Sequence, residues 1–266
     1  MNACHRLRKK FQELTVGTKT EDINPVSDWL TDQLQEHVVH REKLFLEYQQ
    51  EVIKLINSWY EREFSESQFD FDSDGSLCLL NGDLKLDAYE YFPALIKNVE
   101  GTIYMETDCR IRSMDHLELV SGGFHANSFL KSLRSLKKVF SVLDLAGSAV
   151  KEIPCLEFVG EDLILRGSKE LTELPDLKYV GNTLFLENSD FQRAPELKHV
   201  GGGINLNNVK LFNFTQAFPE LNHVGVGFDG ASIIVNDYDL FKNIQNCIEA
   251  QKLKAPGGVK YGGSRI

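Results

Sequence analysis

The chain has 266 residues, a formal net charge of −10, 42% hydrophobic and 26% charged residues, the balance of a soluble globular protein with ample material for a core. The acidity excludes a nucleic-acid groove as the main function, because phosphate binding needs clustered Lys and Arg; Arg6, Arg8, Lys9 and Lys10 are too few to reverse it. No apolar run approaches the roughly 18 to 20 residues of a membrane helix, and Phe11-Gln-Glu-Leu-Thr is not the apolar core of a secretory signal, so no membrane association is expected. The expected compartment is the cytoplasm, barring a secretion signal of a type the sequence does not display.

The five cysteines, Cys4, Cys78, Cys109, Cys155 and Cys247, include no Cys-x-x-Cys pair. Their odd number and scatter predict reduced thiols rather than a zinc site or a disulfide framework.

From the N-terminus, residues 4–14 have a short helical pattern and residues 15–20 read as a loop. Asn24-Pro25 marks a turn, and Ser27 is placed to cap a helix that begins at Asp28. Over residues 28–64 apolar side chains recur at mostly three- and four-residue steps, among them Trp29, Leu34, Val38, Leu44, Tyr48, Val52, Ile56 and Trp59. This predicts one long helix, or two broken near residues 37–41, with both tryptophans on the apolar stripe.

Asp70, Asp72, Asp74 and Gly75 then match the first half of a calcium loop. The position that needs a bidentate Glu holds Asn81, and Ser76-Leu-Cys-Leu-Leu80 has the pattern of a strand. A hairpin, with residues 69–71 and 76–80 joined by a turn at Ser73-Asp74-Gly75, is the expectation that fits both facts.

Residues 154–200 contain three near-copies: Pro154-Cys-Leu-Glu-Phe-Val-Gly, Pro175-Asp-Leu-Lys-Tyr-Val-Gly and Pro195-Glu-Leu-Lys-His-Val-Gly. A return about every 20 residues is the signature of a stacked-repeat solenoid. Taking the Val as anchor extends the array to Val99, Val120, Val139, Val159, Val180, Val200 and Val224. Four residues after each anchor stands Ile103, Phe124, Leu143, Leu163, Leu184, Ile204 or Phe228, and six after it Met105, Ala126, Leu145, Leu165, Leu186 or Leu206. Leu117, Leu136, Leu156, Leu177, Leu197 and Leu221 stand three before. Leu84-Lys-Leu86 fits as a first rung, and residues 233–235 as the last strand. The Leu-x-Leu alternation turns two side chains inward and the residue between them outward. Gly160, Gly181, Gly201 and Gly225 follow the anchor, where a Cβ is not tolerated.

This pattern resembles the leucine-rich repeat family over about residues 84–235. Of the family segment L-x-x-L-x-L-x-x-N, the two strand leucines are matched. Gly mostly replaces the first leucine, and the asparagine position holds Asp108, Ser148, Ser168, Ser189 or Val209. The array is thus similar to an irregular, short-repeat, bacterial-like variant. The resemblance implies an α/β repeat solenoid of about seven to eight rungs over residues 67–235. It would have one leucine-rich-repeat-like parallel sheet along one side. Residues 1–66 would form an N-terminal helical cap, since a terminal coil would otherwise expose its apolar layer.

After Val235, residues 239–253 read as an amphipathic helix through Leu240, Phe241, Ile244, Cys247, Ile248 and Leu253. It is expected to be a C-terminal capping helix within residues 236–254, with residues 255–266 a disordered Gly-rich tail.

No Gly-x-Ser-x-Gly, His-Glu-x-x-His or P-loop occurs, and Cys and His do not cluster at metal-ligand spacings. No catalytic site, cofactor or metal is expected. His199 and His223 stand where other copies have Phe158 and Tyr179, which predicts a structural role on a loop edge. The outward positions of the sheet remain: Tyr104, His125, Asp144, Ile164, Phe185 and Asn205, with Arg166 and Glu187 in the adjoining row. In the resembled family that sheet commonly binds partners, so these residues are the candidate site for a protein partner. An assembly role for the N-terminal aromatic stripe is the alternative, and an enzyme with a site at the seam between helical region and array is the third reading.

Overall fold

A computed structural model describes residues 48–54, 56–57, 65–71, 77–79, 82–88, 92, 96–211, 213–227, 230–250 and 252–262. Both tryptophans, the Ser27 cap, Phe228, and Asp72 and Asp74 of the calcium-like loop lie outside the described residues.

The chain winds as a β-solenoid of about seven turns. It enters through an antiparallel hairpin of β1 (Phe69–Phe71) and β2 (Leu77–Leu79), with Phe69 opposite Leu79, as the sequence predicts. β3 (Leu84–Leu86) is the first rung of the main array. Each turn then contributes two strands: β4 (Ile96–Val99) and β5 (Ile103–Met105), β6 (Leu119–Val120) and β7 (Phe124–His125), β8 (Lys138–Val139) and β9 (Leu143–Asp144). The series continues with β10 (Phe158–Val159) and β11 (Leu163–Ile164), then β12 (Tyr179–Val180) and β13 (Leu184–Phe185). It closes with β14 (His199–Val200) and β15 (Ile204–Asn205), β16 (His223–Val224) and β17 (Ile233–Val235), and a last strand β18 (Val259–Tyr261). The described helical elements are residues 48–54 and 56–57, a 3-10 turn at Glu66–Gln68 before β1, and two short helices late in the chain, α1 (Phe214–Ala217) and α2 (Tyr238–Glu249).

The strands form two nine-stranded sheets rather than one. The even-numbered strands β2 to β16, edged by β1, make a valine sheet; the odd-numbered strands β3 to β17, edged by β18, make a leucine sheet. Both are parallel apart from the hairpin, and every anchor valine pairs with the next, as in Val139↔Val159↔Val180. The single-sheet expectation fails because the segment holding the anchor is itself a strand. The α/β expectation fails for a related reason. A return side of Leu-x-x-Leu followed by Pro is too short for a helix, and it runs as turns with isolated bridges at Ser113↔Ser132, Ser132↔Glu152 and Glu173↔Arg193.

The predicted inward rows are buried: the seven anchors, the leucines three before them, and the strand residues at 103, 124, 143, 163, 184 and 204. Ala126, in the second strand row, is only partly buried. The return side adds a row that the repeat template does not contain. Ile111 and Met114, Leu130 and Leu133, Val150 and Ile153, Leu171 and Leu174, and Phe191 and Ala194 all point inward. Volume is conserved along it, a Phe being matched by an Ala in one coil.

Glycine after the anchor is a packing requirement. A Cβ on Gly181 would overlap the carbonyl oxygen of Gly160, and one on Gly160, Gly201 or Gly225 would overlap Phe140, Gly181 or Gly201 in the same way. At the corner after the leucine sheet the need is conformational: Gly147, Gly167, Asn188 and Asn208 have φ of 62°, 71°, 57° and 59°, the left-handed region that Gly and Asn tolerate.

The serines that replace the family asparagine are buried at this corner. Ser168 Oγ donates to the Leu145 carbonyl one coil away at 2.9 Å, and Ser189 Oγ to that of Leu186 at 2.7 Å. Ser148 Oγ has no hydrogen-bond partner among the described residues. Ser168→Ala should therefore cost about 1 kcal/mol and Ser148→Ala nothing or less, since the latter removes an unpaired hydroxyl. Equal losses in urea denaturation would refute the difference. In an early turn the inward corner position belongs to Cys109 and not to Asp108, which is exposed. One residue along, on the surface, Asn208 Nδ2 donates to Asn188 Oδ1 at 2.9 Å and Asn236 Nδ2 to Asn208 Oδ1 at 2.6 Å, a short asparagine ladder that the serine series hides.

Of the predicted N-terminal helix, residues 48–54 and 56–57 are described, and they are helical. Tyr48, Val52, Ile53 and Ile56 are buried, and the Tyr48 ring meets Phe71 of β1 edge-on at 6.3 Å. At the other end Asp237 caps α2, its side chain accepting from the Leu240 N–H at 2.7 Å. Helix α2 buries Leu240, Ile244 and Cys247 and lies in the crossover between β17 and β18. The expected Gly-rich tail is therefore structured over much of its length: Val259–Tyr261 is a strand paired in parallel with β17. Backbone bonds from Ser232 and Ile233 to the Gly258 carbonyl hold it there. No described helix is long and apolar enough to cross a membrane.

Candidate functional site

The outward face of the leucine sheet is built by register. The pairs Tyr104↔His125, His125↔Asp144, Asp144↔Ile164, Ile164↔Phe185 and Phe185↔Asn205 place the six predicted residues in one unbroken row. Each projects away from the core because its neighbours on both sides point in. All eight predicted residues fall on this face, in three linked groups.

Tyr104, 37% exposed, stacks on His125 with ring centroids 5.0 Å apart and planes within 2°. His125 Nδ1 lies 3.8 Å from Asp144 Oδ2, and the other Asp144 oxygen accepts from the Ala146 N–H. Next come Ile164 and Phe185, half-buried side by side. The third group is polar. Glu187 is only 8% exposed, and its Oε1 accepts from Arg166 Nη2 at 3.0 Å and from Asn205 Nδ2 at 2.6 Å. The Arg166 guanidinium also sits 5.7 Å from the Phe185 ring centroid, so one arginine ties the apolar pair to the carboxylate. An ion pair with one exposed partner contributes little to stability. Its effect is to hold Arg166 in one position over the ring.

The valine sheet has a feature that the repeat template marks only by ring residues before four of its valines, at Phe158, Tyr179, His199 and His223. Phe140, Phe158, Tyr179, His199 and His223 form one column of rings along the outside of the sheet. Centroids are 5.1 Å apart from Phe158 to Tyr179, 4.9 Å from Tyr179 to His199 and 4.5 Å from His199 to His223, with planes within 7°. Parallel strands about 4.8 Å apart impose this spacing. From Phe158 to His223 the rings lie face to face, a geometry suited to joining coils rather than to seating a flat ligand, while Phe140 is tilted by 51° against Phe158. His199 and His223 thus lie on strands and not on a loop edge; the expectation of a structural role agrees with this geometry. Burial, and then the proximity of His223, lower the proton affinity of His199.

No group of three or more His, Cys, Asp or Glu side chains among the described residues is placed to hold a metal ion. Cys109, Cys155 and Cys247 are not joined in disulfides, and burial pushes the thiols of Cys109 and Cys247 above the usual range, away from the reactive thiolate. No family model, curated protein or solved structure matches the chain.

Proposed function

We propose that this chain is a non-enzymatic, cytoplasmic module that binds a protein partner on the leucine sheet, through Tyr104, His125, Asp144, Ile164, Phe185, Asn205, Arg166 and Glu187. The observation that carries this reading is the Phe185–Arg166–Glu187–Asn205 network. It is an outward aromatic ring and guanidinium held in place by a nearly buried carboxylate, and partner hot spots are rich in such anchors. A rigid, pre-ordered patch loses little side-chain entropy on binding. In this reading the solenoid is a leucine-rich-repeat-like scaffold. The helical residues 48–54 and 56–57 cover its N-terminal end and α2 its C-terminal end.

The packing of Tyr48 on Phe71 favours the capping role over the alternative in which the N-terminal aromatic stripe docks a partner. The described part of that stripe is used internally.

The test is affinity capture from the native source with quantitative mass spectrometry, comparing the wild type, the double variant Phe185→Ala/Arg166→Ala, and a control Lys131→Ala on the return side. A partner retained by the wild type and the control should fall at least about 30-fold on the double variant, the effect of a hot-spot loss of about 2 kcal/mol. Undiminished capture by a folded double variant would remove the assignment.

A further inference from the structure

The imidazole pair that ends the aromatic column sits at a joint of the solenoid. Across it the valine sheet contributes the backbone bonds Asn222 N–H to Lys198 O and Gly225 N–H to Val200 O, and the leucine sheet Ile204 N–H to Ser232 O and Leu206 N–H to Ile234 O. The turn that reaches over this joint is longer than those in the middle of the array. Asn208 bonds to Asn236, 28 residues on, where Ser141 bonds to Glu161, 20 residues on, in the middle of the array. With strands of two residues in the valine sheet, a ring contact at 4.5 Å is a sizeable part of what joins β14 to β16.

The surroundings of the pair are basic or neutral. The β12 strand presents the Tyr179 ring, with Lys178 beside it and already paired with Glu157 at 3.4 Å. From β14 comes Lys198, and from the start of β16 Asn222, both exposed. Lys254 bridges to His223 in the next turn. The His199 ring lies along Gly201, its Nε2 3.6 Å from where a Cβ would stand. Glu196 and Glu220 precede the two strands in exposed turns. Among the described residues neither imidazole forms an ion pair with a carboxylate. Asp229 lies outside the described residues.

We infer that the His199–His223 contact is an acid-sensitive joint: at acidic pH His199 takes up a proton against the ring stacked on it, the column parts at that rung, and β16, β17, α2 and β18 loosen ahead of the coils before β14. A cationic His199 stacked on a second imidazole, with Lys178 and Lys198 close by, has no described carboxylate in place to offset its charge. A histidine whose proton affinity is depressed on folding stabilises the joint fully above the ordinary histidine range, about pH 6.5. That stabilisation is lost as pH falls through the depressed value of His199.

Hydrogen exchange read by mass spectrometry between pH 7.5 and 5.5, corrected for the intrinsic rate, tests this. Protection of residues 223–262 should fall about threefold or more relative to residues 119–180, because the open joint binds the proton that the closed joint disfavours. His199→Phe/His223→Phe, which extends the ring type of Phe158, should remove that pH dependence. Constant relative protection in the wild type, or an equal loss in the double variant, overturns the inference. If the double variant does not fold, the His199 ring proton titration by NMR in the wild type decides. A midpoint at or above about 6.5 overturns the joint, and one below it together with the selective loss of protection supports it.

Discussion

Gly181→Ala should cost about 3 kcal/mol, while Gly147→Asn should stay within about 0.5 kcal/mol of wild type. Both replace a glycine of the array with a larger residue, and helix or strand propensity would not separate them so widely. The difference is in what the new side chain meets. At Gly181 the Cβ runs into the backbone carbonyl of Gly160, a main-chain atom that cannot swing aside as the end of a side chain would. Relief requires the two coils to part, which weakens the bond from Gly181 N–H to the Val159 carbonyl at 2.9 Å. At Gly147 nothing lies within 4 Å of a Cβ, and the positive φ is one that Asn188 and Asn208 already adopt at the same corner of later coils. Thermal unfolding checks the pair: Tm falls roughly 6 to 12 °C for the first and little for the second. Comparable shifts would mean that the glycine column is not a contact between backbones.

Phe191→Ala is expected to cost about 3 to 5 kcal/mol. The ring is fully buried on the return side and packs on Phe218, 6.1 Å between centroids. Ala194, the other inward residue of that segment, is too small to fill the space vacated. Because each coil touches only its neighbours, the cavity weakens the interfaces on both sides of one turn while leaving distant turns intact. Urea denaturation followed by circular dichroism measures the loss. A value under about 1 kcal/mol would show that the return side is not part of the packed core.

How much of this was legible beforehand follows from which constraints repeat. The anchor valines and strand leucines recur at fixed steps because each must point into the same narrow core, so rungs, register and the outward row Tyr104 to Asn205 could be read directly. The second sheet could not. A two-residue strand such as Phe158–Val159 leaves only one inward residue, and a single apolar position has no period of its own. The return side escaped for a different reason. Its inward pairs are as unlike as Leu171 with Leu174 and Phe191 with Ala194, because a core conserves volume and not residue type. The end of the chain misled through composition: Gly257 and Gly258 suggest a loose tail, yet a Cβ on Gly257 would crowd Ser232 and Gly230, and Gly258 takes a φ of 65° in the turn that leads into β18. Within the candidate site, the eight positions were readable. The tie between Arg166, Phe185 and Glu187 was not, since it depends on side-chain reach between rungs.

The near-even coil length before β16 bears on how the chain assembles in time. A rung such as Arg166 with Glu187 closes a segment of 21 residues, and a longer one, Phe214 with Asn243, closes 29. Loop-closure entropy grows only with the logarithm of length, about 0.6 kcal/mol for each doubling. Adding any one turn therefore costs nearly the same as adding any other, and no step has to bring distant ends of the chain together. Each parallel pairing must close a segment such as the 20 residues from Ser141 to Glu161 before its contacts form, which slows folding relative to a helical protein, and a first pair of stacked coils can then serve as the template on which the rest are laid down in either direction.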